Sequence, residues 1–198
     1  MGEFIRSFSQ NFLEENRYIY ILKGLGNTVI ISIFAVLIGV ALGFLVAIIR
    51  STHDKHGGFR ILNVICKIYL TVWRGTPTVV QVMIMYYIIL VSVSNKIVVA
   101  VVAFGLNYGQ TMRLIILPQA FKNVLPALGN EFITLLKETS VSGYIGIMDL
   151  TKGADIIRSQ TYEAFLPLFG VAAMYLVLVM LLSAGVNRLE RRLRSSDR

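Results

Sequence analysis

The sequence predicts an all-α bundle embedded in a membrane, and three observations lead there. Hydrophobic residues make up 56% of the 198-residue chain and charged residues 15%, with a mean hydropathy of +0.70, far more apolar than a soluble domain of this size requires. Residues 24–49 and 164–186 are long runs without a single charge, and about 20 apolar residues suffice to cross a bilayer. The 19 Lys and Arg outnumber the 11 Asp and Glu, and they sit mainly at the ends of the apolar runs, as expected for loops held on the cytoplasmic side. The positive charge forms no stripe and does not interleave with exposed aromatics, so its expected partner is the lipid bilayer and not nucleic acid.

The elements follow in order. In residues 1–23, Phe4, Phe8 and Phe12 with Ile5 and Leu13 give one apolar face, the pattern of an amphipathic helix lying on the membrane. This stretch is polar and of mixed charge, unlike the basic start of a cleaved leader, so the run after it is read as a retained helix. The first span, 24–49, ends at Arg50. Its Ala35, Gly39 and Gly43 recur every four residues, either as a close-packing face or through the general abundance of glycine in membrane helices. Residues 50–60, "RSTHDKHGGFR", form a hydrophilic connection placed in the cytoplasm by Arg50, Lys55 and Arg60. His53 and His56 have no third ligand nearby and are read as solvated; no metal site is expected. Cys66 is the single cysteine, which excludes an internal disulfide and a Cys-based metal site.

A second span is expected at about 62–91, interrupted by "WRGTPTVVQ". Gly75 and Pro77 weaken the helix there, and Arg74 is either a pathway residue facing a cavity or an interfacial anchor. A further span at about 124–148 is unusually polar, with Glu131, Lys137 and Glu138 in or beside it. In a continuous helix Thr134, Lys137, Glu138 and Ser142 share one face. Such a face lines water, a pore or another subunit. The last span is 164–186, and the tail from Asn187 carries five arginines, so residues 189–198 are expected in the cytoplasm. With both basic segments inside, one inward crossing must lie between Val91 and Val124. Only about 97–107 is available, and some eleven residues reach roughly 16 Å of a core about 30 Å thick.

These residues also carry a resemblance. Gly105, nine residues, then Ile115-x-Leu117-Pro118 resembles the second half of the E-A-A-x-x-x-G-x9-I-x-L-P signature of ABC importer permeases. "GLGNTVIIS" at 24–32, "VWRGTPTVVQ" at 72–81, "LPQAFKNVLPALGNEFITLLKETSVSGYIG" at 117–146 and "LERRL" at 189–193 resemble the polar amino-acid branch, the histidine/glutamine/arginine type. The likeness runs over nearly the whole chain. It implies a permease domain at 24–188 with the ABC type-1 permease fold, normally of five spans, working in a bacterial inner membrane with its N-terminus outside. The implied partners are an ABC ATPase subunit, an external solute-binding protein, and a second permease copy or sister permease; no cofactor is implied. Gly105, Arg113, Ile115, Leu117 and Pro118 would belong to the ATPase-coupling loop. Arg74, Thr76 and Pro77 would lie by the outer part of the translocation pathway, and Glu131, Lys137, Glu138, Thr139 and Ser140 along it.

The chain has no G-x-x-x-x-G-K-[ST] nucleotide loop and no nucleophile–base set, so it is read as a transport subunit and not an enzyme. Val99, Ala100 and Val101 stand where the family has E-A-A, and "FGLNYG" at 104–109 reads as two family stretches fused into one. The expectation is an in-frame loss on the order of 30 residues that truncates the third span, because the crossing is too short for the bilayer. An alternative reading follows: a degenerate permease that inserts but does not transport.

Overall fold

The computed structural model describes residues 2–108 and 121–195, leaving aside the side chains of 74, 107–108, 121–125 and 193–195. Helices α1 (Gly2–Phe8), α2 (Tyr18–His56), α3 (Arg60–Gly75), α4 (Thr78–Ile84), α5 (Lys96–Tyr108), α6 (Phe121–Glu138), α7 (Leu150–Thr161) and α8 (Phe165–Ser195) are joined by short π and 3-10 turns, and the described residues contain no strand.

α2 is the spine. Its 39 residues extend about 58 Å at 1.5 Å per residue, well beyond a hydrocarbon core of about 30 Å. Its buried residues, from Ile21 and Gly24 through Ile31, Ala35, Gly39 and Gly43 to Ala47, recur every three or four positions. They mark one face turned to the bundle. Ile30, Ile33, Phe34 and Leu37 stay exposed on the other side, where lipid is the solvent. The connection expected at 50–60 is corrected to Gly57–Phe59, because the helix runs on through His56. Leaving the hydrocarbon does not end a helix; Gly57 does, at φ 65°, its N–H donating to the His53 carbonyl at 2.8 Å. His53 is held by this turn, with a ring nitrogen 2.8 Å from the Gly58 carbonyl oxygen.

α3 runs back along α2, burying Cys66 and Leu70 against Val46. It stops at Gly75, and α4 starts at Thr78. Thr76 is extended, as the residue before a proline prefers to be, and Pro77 has no N–H to continue the ladder. α4 passes into a π turn, Met85–Ile89.

α5 lies parallel to α2. At its start Lys96 is beside Gly146, and the segment after Gly146 meets α2 at Asn27 and Thr28. Nearer its end, Gly105 touches Ile38 and the Ala35 carbonyl. The Asn95 carboxamide caps α5, accepting from the N–H groups of Ile97 and Val98 at 3.0 and 3.4 Å. The 13 residues over which it is described span about 20 Å. Ile31, Ala35, Val82, Val99, Ala103, Phe104, Leu135 and Ile145 form the main core where α2, α4, α5 and α6 meet.

α6 runs antiparallel to α8, with Gly129 against Val186. At Thr139 the helix tightens into a 3-10 segment, Thr139–Ile145, which corrects the expectation that Thr134, Lys137, Glu138 and Ser142 share a face. A 3-10 helix advances about 120° per residue instead of 100°, so the turn carries Ser142 inward. Ser142 is fully buried, donating to the Thr139 carbonyl at 2.6 Å, while Thr134 and Lys137 are exposed.

Candidate functional site

Several buried polar residues of the bundle gather where α2 meets the chain between the 3-10 segment and α7. Gly24 and Gly153 make that contact possible. A Cβ at Gly24 would collide with the Asp149 carbonyl, and one at Gly153 would sit 2.8 Å from the Tyr20 carbonyl oxygen. Across this glycine contact the Asn27 carboxamide donates to the Met148 carbonyl at 2.8 Å, and the Leu150 N–H donates to the Thr28 hydroxyl at 3.1 Å. Buried polar groups are costly unless bonded, so these two bonds fix the register of α7 against α2. Asp149 caps α7: its buried carboxylate accepts from the Thr151 and Lys152 N–H groups at 3.2 and 2.9 Å. Asn27, Thr28 and Asp149 were not among the expected site residues. The signal was present: two polar residues inside an apolar run, and an aspartate opening a polar helix.

Between the 3-10 segment, α7 and α8 lies a cleft in two adjoining parts of about 320 and 350 Å³. Ser140, Thr151 and Leu168 line both parts; Gly143, Lys152 and Asp155 line one, Lys137, Val171 and Tyr175 the other. The structure therefore brings Lys137 and Ser140 together in one cavity with hydroxyl, ammonium and carboxylate groups. Asp155 accepts from Lys152 at 2.8 Å and from Arg158 at 2.6 and 3.1 Å. These hydrogen bonds, Lys152 first, hold its carboxyl below the usual carboxylate range. Among the described residues no three His, Cys, Asp or Glu are placed to hold a metal.

The other expected residues are distributed elsewhere. Glu138 and Glu131 are half-buried on α6, and Thr139 is fully buried with its hydroxyl donating to the Leu136 carbonyl at 2.7 Å. Arg74, Thr76 and Pro77 lie at the α3–α4 break. There Thr76 donates to the Val72 carbonyl at 3.0 Å, and Gln81 reaches back to the carbonyls of Trp73 and Thr76 and to the Thr76 hydroxyl. Gln81 holds the two half-helices in register, a role its place in "WRGTPTVVQ" did not reveal. Gly105 is buried within α5 against Ile38, and Tyr69 donates its hydroxyl to the neighbouring Leu106 carbonyl. Arg113, Ile115, Leu117 and Pro118 lie outside the described residues.

Residues 16–195 match the family described as binding-protein-dependent transport system inner membrane component. The chain is 32% identical to the arginine transport system permease protein ArtQ of Bacillus subtilis over 211 positions, covering 90% of this chain and 94% of that one. It is 30% identical to the putative glutamine transport system permease protein GlnP of Rickettsia bellii over 226 positions, covering 98% and 99%. Both alignments are longer than the stretch of this chain inside them, by about 33 positions in the first, where 90% of 198 residues is about 178. The relatives thus carry sequence with no counterpart here. Among solved structures, the crystal structure of an amino acid ABC transporter with histidines aligns with a TM-score of 0.78 at 31% identity, covering 91% of this chain and 98% of that chain. With its helical fold and nearly full-length matches in agreement, the chain belongs to the binding-protein-dependent transport system inner membrane components, the membrane subunits of ABC importers, in which ATP is hydrolysed by a separate chain.

Proposed function

We propose that this chain is the permease subunit of an importer for polar amino acids, and that the cleft between the 3-10 segment, α7 and α8 is part of its pathway. The observation that carries the reading is the cleft's lining: Lys137, Ser140, Thr151 and Tyr175 around one cavity in an otherwise apolar bundle. A zwitterion leaving water needs hydrogen-bond donors and acceptors at every step, and these groups supply them. The arginine and glutamine permeases among the relatives support polar amino acids as the cargo.

In this reading the permease domain is 24–188, and the basic tail at 189–198 lies in the cytoplasm with the ATPase. An external solute-binding protein delivers cargo on the opposite side, and a second copy or sister permease completes the pathway. Residues 105–118 contribute to ATPase coupling, and Arg74, Thr76, Pro77, Glu131, Glu138 and Thr139 flank the pathway. Loaded binding protein and ATP each act by favouring one state of the subunit through differential affinity.

The test is ATP-dependent uptake of labelled arginine and glutamine by proteoliposomes holding the chain with its ATPase and binding protein. Uptake that falls at least tenfold (about 1.4 kcal/mol) in Lys137→Met and Ser140→Val, with assembly intact, supports the pathway; full uptake in both places it elsewhere. A second reading rests on the short apolar run at 97–107 and on the surplus sequence of the relatives: a subunit that inserts and assembles without transporting. Uptake by the unaltered chain excludes it.

A further inference from the structure

The N-terminal segment is fastened to the bundle at one end only. Asn11, fully buried, donates to the Ser7 carbonyl at 2.8 Å and to the Glu163 carboxylate, and accepts from the Thr161 hydroxyl at 2.8 Å. Arg17 donates to Gln160 at 3.2 Å and to the Gln10 carbonyl. These bonds tie residues 10–17 to the end of α7. Beyond them α1 passes over the starts of α2 and α8 and leaves a cavity of about 630 Å³ beneath it. Phe8 and Phe12 roof it; Leu22 of α2 and Leu166, Phe169 and Met174 of α8 form its walls.

None of the residues lining the cavity is charged, and Tyr18 supplies the only hydroxyl. Water needs two to four polar partners to occupy such a space, so its natural filling is apolar. The cavity is within the range of ligand sites, about 300–1,000 Å³. It opens along the exposed faces of α2 and α8, where Ile33, Leu37, Leu176 and Val177 continue the apolar surface down the spans. In a membrane subunit that surface meets acyl chains. Exposed Arg6 and Lys23 stand on the two elements that form the roof and one wall, cations of the kind that pair with a lipid phosphate.

We propose that this cavity is a phospholipid site: one acyl chain lies under α1, between α2 and α8, with its phosphate toward Arg6 and Lys23. The N-terminal segment is then a strap over a bound lipid, hinged at Asn11 and Arg17.

The test places the purified subunit complex in nanodiscs containing a phosphatidylglycerol with a photoreactive diazirine midway along one acyl chain, and maps the adducts by peptide mass spectrometry. The site predicts adducts concentrated on Phe8, Phe12 and Phe169, above the level on Phe34 and Leu37 of the lipid-facing side of α2. Leu166→Trp fills the cavity and should reduce the enriched adducts to that annular level while those on α2 persist. Met174→Trp is the second filling variant, in case the first disturbs folding. Adducts no richer than on α2, or adducts unmoved by either filling variant, overturn the proposal. So does protection of the cavity by a cross-link to another polypeptide, which would make it a protein-docking site.

Discussion

An alanine at Gly24 would drive its Cβ into the Asp149 carbonyl, and both contacting elements are fixed there by backbone. Overpacking of this kind costs roughly 1–3 kcal/mol, and relief would require α7 to lift off α2, breaking the Asn27–Met148 and Leu150–Thr28 bonds. Gly26, two residues on, faces open space. Gly24→Ala should therefore lower the midpoint of thermal unfolding in detergent by several degrees, while Gly26→Ala leaves it unchanged or raises it, alanine being the better helix former. Equal behaviour of the two variants would refute the contact. Asp155 makes a second prediction at this scale. Its carboxyl is held below the ordinary range by hydrogen bonds from Lys152 and Arg158, so it binds its proton later in the folded than in the unfolded state. That contribution is present above the unfolded carboxylate value of about 3.9 and is lost as pH falls through the lower folded value. The group is more than one-third exposed, so the effect is small. Unfolding midpoints followed from pH 6 to 3 should show a slightly shallower acid fall in Asp155→Asn than in the parent chain.

The α3–α4 break shows what one side chain does for an element. Pro77 removes a donor and Thr76 leaves the helical region, so the carbonyls of Trp73 and Thr76 lose their ladder partners in a span with no water to replace them. Gln81 donates to both carbonyls and to the Thr76 hydroxyl; its amide has two hydrogens, so one N–H is shared. Gln81→Leu keeps the bulk and removes the bonds. Each buried carbonyl left unpaired costs about 1–3 kcal/mol, so the variant should unfold markedly earlier, with Gln81→Asn rescuing little because its arm is one methylene too short. The break itself was legible in Gly75 and Pro77. The 3-10 segment was not. In "TSVSGYIG" α and 3-10 backbones differ little in energy, and the choice is made by hydroxyls that bond back three residues, Thr139 to Leu136 and Ser142 to Thr139. The candidate site was half legible: the polar periodicity singled out Lys137 and the resemblance Ser140, but only the glycine-mediated docking of α7 on α2 brings Thr151 and Asp155 into the same cleft.

At the scale of the whole molecule, the pairing of α2 with α5 raises the sharpest question about transport. The two helices run parallel and pack closely through Ala35, Ile38 and Gly105, and the apolar run carried by α5, residues 97–107, is short for a span. At 1.5 Å per residue those eleven residues reach about 16 Å of a core near 30 Å. In the proposed function, closure of the ATPase must be carried to the pathway by elements that cross the half-membrane between them. A chain whose third apolar run is short should therefore spend more ATP per amino acid moved than one with a full-length run there. The experiment inserts at the Asn107–Tyr108 junction enough apolar residues to bring the run to about 20, the length of a span. Amino acid imported per ATP hydrolysed is then compared in proteoliposomes of the two forms. A higher ratio in the lengthened chain establishes that α5 limits coupling. An equal ratio shows that the short apolar run transmits the motion as well as a long one, through the contacts of α5 with α2. Uptake found only in the lengthened chain would identify the natural subunit as one that assembles without transporting.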